Sequence, residues 1–124
     1  MALTIIVRKV DSVIVVEMSG RLLIGRPVED FRETMRRLLD DGNRSFVLNL
    51  SGVSYMDSAG LGQTLAAFTS VKDHGGHVAL LGPSARTEQL LQIVKLVTVF
   101  DTYDEEAEAI DSLKRIPVPV AARC

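Results

Sequence analysis

The chain has 124 residues, the length of one ordinary domain, and 47% of them are hydrophobic, which is enough for a packed core and argues against disorder. Fourteen basic and sixteen acidic residues give a net charge of −2, a near balance that argues against nucleic acid as a main partner. The apolar runs are far shorter than the roughly 20 residues of a membrane span, so no membrane partner is expected either.

The chain is predicted to begin with an antiparallel hairpin and a helix. Residues 3–7 and 13–18 are rich in β-branched side chains and predict two strands, joined by a turn near Asp11. Pro27 suits the first turn of a helix, and Gly42 is expected to end that helix. Apolar residues recur between them at helical spacing, namely Val28, Phe31, Met35, Leu38 and Leu39.

A strand, a helix and another strand are predicted next. The apolar runs at residues 46–50 and 77–81 predict the two strands, and "SGVSYMDS" leads from the first of them into the helix. The apolar face of that helix consists of Leu61, Leu65, Phe68 and Val71. A helix that joins two strands of one sheet requires a parallel pair with a right-handed crossover.

The remaining elements are predicted from capping signals. Ser84 is expected to cap a third helix, which carries apolar residues over 90–94, and residues 98–100 predict a short edge strand. Thr102 and Glu105 match the capping box of a last helix.

These elements predict one α/β domain over residues 1–115, followed by a flexible tail over residues 116–124. Its mixed sheet has four to five strands, an antiparallel N-terminal hairpin plus parallel strands, and it is accompanied by about four helices. The N-terminus lacks the features of a secretory signal, and Cys124 is the single cysteine, so a cytoplasmic location is expected. A weak homodimer is left open.

The stretch "VSYMDSAGLG", residues 53–62, lies where a strand gives way to the second helix. Asp57 or Ser58 is expected to cap the helix, because its first N–H groups need acceptors. Gly60 and Gly62 should each cost about 1 kcal/mol relative to alanine in a helix. Such glycines permit close backbone approach, either to the sheet of the same domain or to a visiting molecule, and both interpretations stay open.

Catalysis at Ser58 is not expected. A serine nucleophile needs a base within hydrogen-bond reach, but His74 and His77 lie at the far end of the helix, roughly 24 Å away at 1.5 Å per residue. The glycines match neither a complete dinucleotide-binding motif nor a P-loop, and no set of metal ligands is apparent. We therefore predict no catalytic residue, no cofactor and no metal.

Phosphorylation of Ser58 is chemically more favourable. A phosphate adds about −1.5 to −2 charges at a helix N-terminus, where the helix dipole and free N–H groups stabilise anions. Beside Asp57 it would create a concentrated negative charge and repel a partner docked there. Ser58 could therefore act as an electrostatic switch.

The segment "VLNLSGVSYMDSAGLGQTLAAF" resembles the signature of the STAS domain family, specifically of the bacterial anti-sigma factor antagonists. In that family an apolar strand and an "SGV" turn precede Asp-Ser-(Ser/Ala)-Gly-(Leu/Ile)-Gly at the start of a helix. The residues that match are Asp57, Ser58, Ala59, Gly60, Leu61 and Gly62. The resemblance covers roughly residues 3–113.

This resemblance implies a regulatory binding protein and not an enzyme. Unphosphorylated members capture an anti-sigma factor that is also a serine kinase, phosphorylation of the serine corresponding to Ser58 releases it, and a serine phosphatase resets the cycle. The implied partners are thus an anti-sigma factor/serine-protein kinase and a serine phosphatase. The implied partner-binding residues are the six motif residues together with Leu23, Ile24 and Gly25.

Three positions depart from the family pattern. Leu23 stands where many members have an aspartate, which makes the surface around Ser58 less acidic; Asn49 also replaces a common aspartate, and Ala59 a frequent second serine. For the apolar loop at residues 23–25, both partner contact and the edge of the core stay open, and the edge of the core is slightly favoured. Two alternatives stay open: a STAS scaffold module without phosphorylation at Ser58, and an unrecognised hydrolase or nucleotide-binding enzyme.

Overall fold

The structure, a computed structural model, describes residues 3–82 and 101–114. Five strands and three helices lie in these ranges: β1 (Thr4–Val10), β2 (Val13–Leu22), α1 (Arg26–Asp40), β3 (Ser45–Met56), α2 (Ser58–Asp73), β4 (His77–Leu81), β5 (Asp101–Tyr103) and α3 (Glu106–Lys114). The helix predicted after Ser84, the strand predicted at residues 98–100 and the predicted tail at 116–124 lie outside the described residues.

The strands form one mixed sheet in the order β1-β2-β3-β4-β5. β1 and β2 pair antiparallel, whereas β2–β3, β3–β4 and β4–β5 are parallel pairs, so the predicted hairpin and parallel strands are confirmed. Asp11, in the hairpin turn, has a left-handed φ of 55°. Pro27 lies in the first turn of α1, and Gly42, with a φ of 94°, follows its last turn, as predicted.

Two apolar clusters cover the two faces of the sheet. Even-numbered side chains of β2, such as Ile14 and Val16, pack with α1 and α2, and odd-numbered ones, such as Val13 and Val15, pack with α3. β4 follows the same alternation, and β3 follows it as far as Leu50. Because the central strands are buried on both faces, their sequences are continuous apolar runs rather than alternating ones.

Two strands extend further than the sequence predicted. β2 continues past Met18 to Leu22, and β3 continues through the predicted "SGV" turn to Met56. Ser19 pairs with Gly52 beside a shift in register, and a Cβ on Gly52 would lie 2.5 Å from the Ser19 Oγ. Glycine at this position therefore lets both strands continue side by side. They end together where Leu22 pairs with Met56.

The predicted capping box at Thr102 and Glu105 is wrong. Thr102 lies in β5, where it pairs with Leu80, and α3 begins only at Glu106. Pairing with the edge of the sheet therefore outweighs the local capping pattern.

Among the described residues, no helix combines the length and the apolar character needed to cross a membrane.

Candidate functional site

Ser58, the first residue of α2, lies at the carboxyl end of β3. The loop between β2 and α1 lies against it, because β2 ends beside β3 in the parallel pair. The Asp57 N–H also donates to the Leu22 carbonyl oxygen over 3.4 Å. The sheet therefore brings together two segments, residues 23–25 and 57–62, that are more than 30 residues apart in the sequence.

Asp57, and not Ser58, caps α2. Its backbone is extended, and its Oδ1 accepts a hydrogen bond from the Gly60 N–H at 2.8 Å. Its second oxygen, Oδ2, accepts from the Ile24 N–H at 2.9 Å. The N–H groups of Ile24 and Gly60 hold the pKa of the Asp57 carboxyl below its ordinary value of 3.8. This carboxylate therefore ties the β2–α1 loop to the start of the helix.

The Ser58 side chain is exposed, and its hydroxyl makes no hydrogen bond to any residue that the structure describes. His74 lies at the opposite end of α2, where its Nδ1 contacts the Ser70 carbonyl oxygen at 2.7 Å. His77 is half-buried at the start of β4, the strand that the sequence predicted over residues 77–81. Burial, followed by the charge of Lys72, lowers the pKa of His77.

The two glycines of the motif have different surroundings. A Cβ on Gly60 would lie 2.2 Å from the Leu22 carbonyl oxygen and 2.9 Å from the Met56 Cγ. Gly62 is exposed, and a Cβ there would have no atom within 4 Å. The packing interpretation therefore holds for Gly60, while no internal contact requires a glycine at position 62.

The sequence favoured placing the loop at residues 23–25 at the edge of the core, and the structure shows that this is wrong. Ile24 is 76% exposed, and Leu23 is half-buried without packing against either core cluster. Gly25, at a φ of 103°, precedes α1 and is exposed. By contrast, Leu61 of the motif packs against the core. Ile24 is therefore the most exposed of the large apolar side chains described at this site.

Sequence reasoning did not single out Arg21 and Tyr55, which pair across β2 and β3 at this edge of the sheet. The Arg21 guanidinium carbon lies 5.9 Å from the centre of the Tyr55 ring, and Tyr55 is 37% exposed. Their alignment depends on the register shifts between the two strands, which local patterns do not show.

Residues 4–109 match the family model described as the STAS domain. The chain belongs to the STAS domain family. A homologue from Thermotoga neapolitana named as an anti-sigma factor antagonist is 34% identical over 76 residues, covering 61% of this chain and 67% of that protein.

Solved structures extend the match to most of this STAS domain. An anti-sigma factor antagonist from Thermotoga maritima superposes with a TM-score of 0.81 at 27% identity, covering 90% of this chain and 95% of that one. The anti-sigma factor antagonist SpoIIAA in its unphosphorylated form has a TM-score of 0.75 at 25% identity, covering 91% of this chain and all of that one. The phosphorylated form of Bacillus SpoIIAA has a TM-score of 0.72 at 25% identity, with 88% and 98% covered.

Replacing Asp57 by asparagine should lower the melting temperature of this STAS domain by a few degrees at neutral pH. The two carboxylate oxygens each accept one N–H, whereas an amide has a single, uncharged oxygen. Since the folded pKa is depressed, the unfolded chain binds the proton at higher pH than the folded chain does. The stabilisation is therefore complete above the unfolded pKa and is lost as the pH falls through the lower folded pKa.

Urea denaturation at neutral and acid pH tests this expectation. The change in midpoint with pH should be smaller for Asp57→Asn than for the unaltered chain. Asp73→Asn is the matched control, because Asp73 lies in the last turn of the same helix, where a negative charge is not favoured. An equal loss of stability in both variants would show that the two N–H bonds to Asp57 contribute nothing specific.

Proposed function

We propose that this STAS domain is an anti-sigma factor antagonist that captures an anti-sigma factor with serine kinase activity and releases it when Ser58 is phosphorylated. The proposal rests on the different roles of two adjacent residues, Asp57 and Ser58, at the start of α2. Asp57 caps α2, and the Ser58 hydroxyl is left exposed without a bond to any described residue. A phosphate can therefore be added without breaking a hydrogen bond to any residue in the part of the chain that the structure describes.

The charge at this surface supports a switch. The first turn of α2 contains no acidic residue, and the charge of Asp57 is already stabilised by two N–H groups. A phosphate on Ser58 would add about −1.5 to −2 charges beside it. A partner seated over the exposed Ile24 and Gly62 would then face a concentrated negative charge, which weakens an interface arranged for the uncharged serine.

The relatives support the same function. Their names describe anti-sigma factor antagonists, which are regulatory binding proteins rather than enzymes. SpoIIAA has been solved in both phosphorylated and unphosphorylated forms, and both resemble this chain. The proposal includes a serine phosphatase that removes the phosphate and a cytoplasmic location for all three proteins.

A scaffold role without phosphorylation is the second candidate. Leu23 favours the scaffold role. According to the resemblance, many members of the family have an aspartate at this position near the phosphorylated serine, and this chain lacks it. This leucine is half-buried and lies directly before Ile24 in the loop that Asp57 holds. An assembly module would use the same exposed loop and would bind its partner whether or not Ser58 carries a phosphate.

Phosphate mapping after incubation with the serine kinases of the source organism tests the proposed function. Incorporation should occur at Ser58 and should be lost in Ser58→Ala. Ser51 and Ser54 are exposed neighbours whose hydroxyls donate to Asn49 Oδ1 at 2.6 Å and to the Gly20 carbonyl oxygen at 3.2 Å. Ser54→Ala should therefore incorporate phosphate like the unaltered chain. Labelling that survives in Ser58→Ala would contradict the proposal.

A further inference from the structure

The most exposed large apolar side chain in the described ranges lies beside Ser58. Ile24 is 76% exposed, compared with 51% for Ile6, 41% for Val7 and 37% for Tyr55. Its backbone is fixed, because its N–H donates to Asp57 Oδ2. An isoleucine held in solvent by a charged hydrogen bond is already positioned for binding, so little conformational entropy would be lost when a partner covers it.

Two arginines flank this isoleucine along the chain. Arg21 and Arg26 are both exposed, and neither forms an ion pair with another described residue, whereas Arg8 and Arg36 each pair with two carboxylates. Arg21 lies over the face of the Tyr55 ring, a contact that leaves its charge intact. We call Arg21, Ile24, Arg26 and Tyr55 the Ile24 patch.

The backbone adds positive potential to the Ile24 patch. Ile24 and Arg26 lie at the start of α1, and the Ile24 N–H donates to Asp57, the residue that caps α2, so both helix N-termini place partial positive charge close to these two residues. Gly25 offers α1 no side-chain acceptor. The described acidic groups nearby are Asp57, which already accepts two N–H groups, and Glu29 and Asp30, which follow Arg26 by three and four residues in α1. With Leu23 in place of a carboxylate, neither arginine forms an ion pair with a carboxylate that the structure describes.

We infer that the Ile24 patch binds an apolar pocket rimmed by carboxylates on the anti-sigma factor, an inference that rests on the proposed function. Ile24 would fill the pocket, and Arg21 and Arg26 would face the carboxylates. A phosphate on Ser58 would bring negative charge up to that same acidic rim. Release would then follow from repulsion between like charges, reinforced by the loss of net positive charge on the patch.

Calorimetric titration of the purified anti-sigma factor kinases from the source organism tests the inference. Binding should weaken as salt is raised, because exposed charge pairs are screened. At low salt, Arg21→Glu/Arg26→Glu should bind about tenfold or more weakly, and the difference should shrink at high salt. Ile24→Ala should lose about tenfold at every salt concentration, since an apolar anchor is not screened.

Arg32→Glu/Arg37→Glu is the matched control, because both arginines are exposed on α1 beyond its first turn, neither has an ion pair among the described residues, and the double change alters the net charge by the same amount. It should bind like the unaltered chain. Melting temperatures confirm folding, and Arg21→Gln/Arg26→Gln repeats the test without new negative charges. Equal binding by the arginine variants, or binding insensitive to salt, would overturn the inference and leave the proposed function standing. Failure of the unaltered chain to bind any of the kinases would overturn both.

Discussion

Replacing Ser58 by aspartate is expected to weaken binding of the anti-sigma factor by about 100-fold, whereas Ser58→Ala should bind like the unaltered chain. The aspartate puts a permanent negative charge on an exposed position next to the Asp57 carboxylate. The alanine removes only a hydroxyl that has no partner among residues 3–82 and 101–114. Calorimetric titration at one salt concentration measures the difference.

Ser70→Asp controls for the added charge alone. Ser70 is exposed on the same helix, roughly 18 Å from Ser58 at 1.5 Å per residue. A comparable loss of affinity in Ser70→Asp would mean that the net charge of the protein, and not the position of the charge, governs binding. Equal binding by Ser58→Ala and Ser58→Asp would reject the switch and favour the scaffold alternative.

Replacing Gly60 by alanine should destabilise the fold by about 2 to 3 kcal/mol. The new Cβ would lie 2.2 Å from the Leu22 carbonyl oxygen, which belongs to the backbone and cannot rotate away as a side chain would. Either β2 or the start of α2 must then move, and the Asp57 bonds to both segments would be disturbed. Urea denaturation followed by circular dichroism measures the loss.

Gly62→Ala is the matched control, two residues further along the same helix. It should stabilise the fold by about 0.5 to 1 kcal/mol, because alanine has the higher helix propensity and a Cβ there meets no atom within 4 Å. If a partner approaches the backbone at Gly62, this variant should bind more weakly although it is more stable. Destabilisation by Gly62→Ala would contradict the open surroundings that separate the two glycines.

The cap of α2 is a feature of the site that local sequence patterns could not predict. Asp57 and Ser58 are adjacent, and either side chain can cap a helix. The structure assigns the cap to Asp57, whose second carboxylate oxygen also accepts from the Ile24 N–H, 33 residues earlier. A bond over that separation depends on how β2 and β3 are aligned, which no single segment specifies. The same alignment sets Gly60 apart from Gly62.

The antiparallel hairpin, the parallel central strands, the helix end at Gly42 and the motif around Ser58 were determined by the sequence itself. Each follows from residue types close together in the sequence or, for the parallel strands, from the helix that connects them, so local conformational preference, apolar periodicity and the order of elements were enough. Contacts between distant segments, by contrast, determine that β3 continues to Met56, that Ile24 is exposed to solvent and that Asp57 joins the β2–α1 loop to the start of α2. Those features depend on register, burial and hydrogen bonds between segments far apart in the chain, where the energy of packing outweighs local preference.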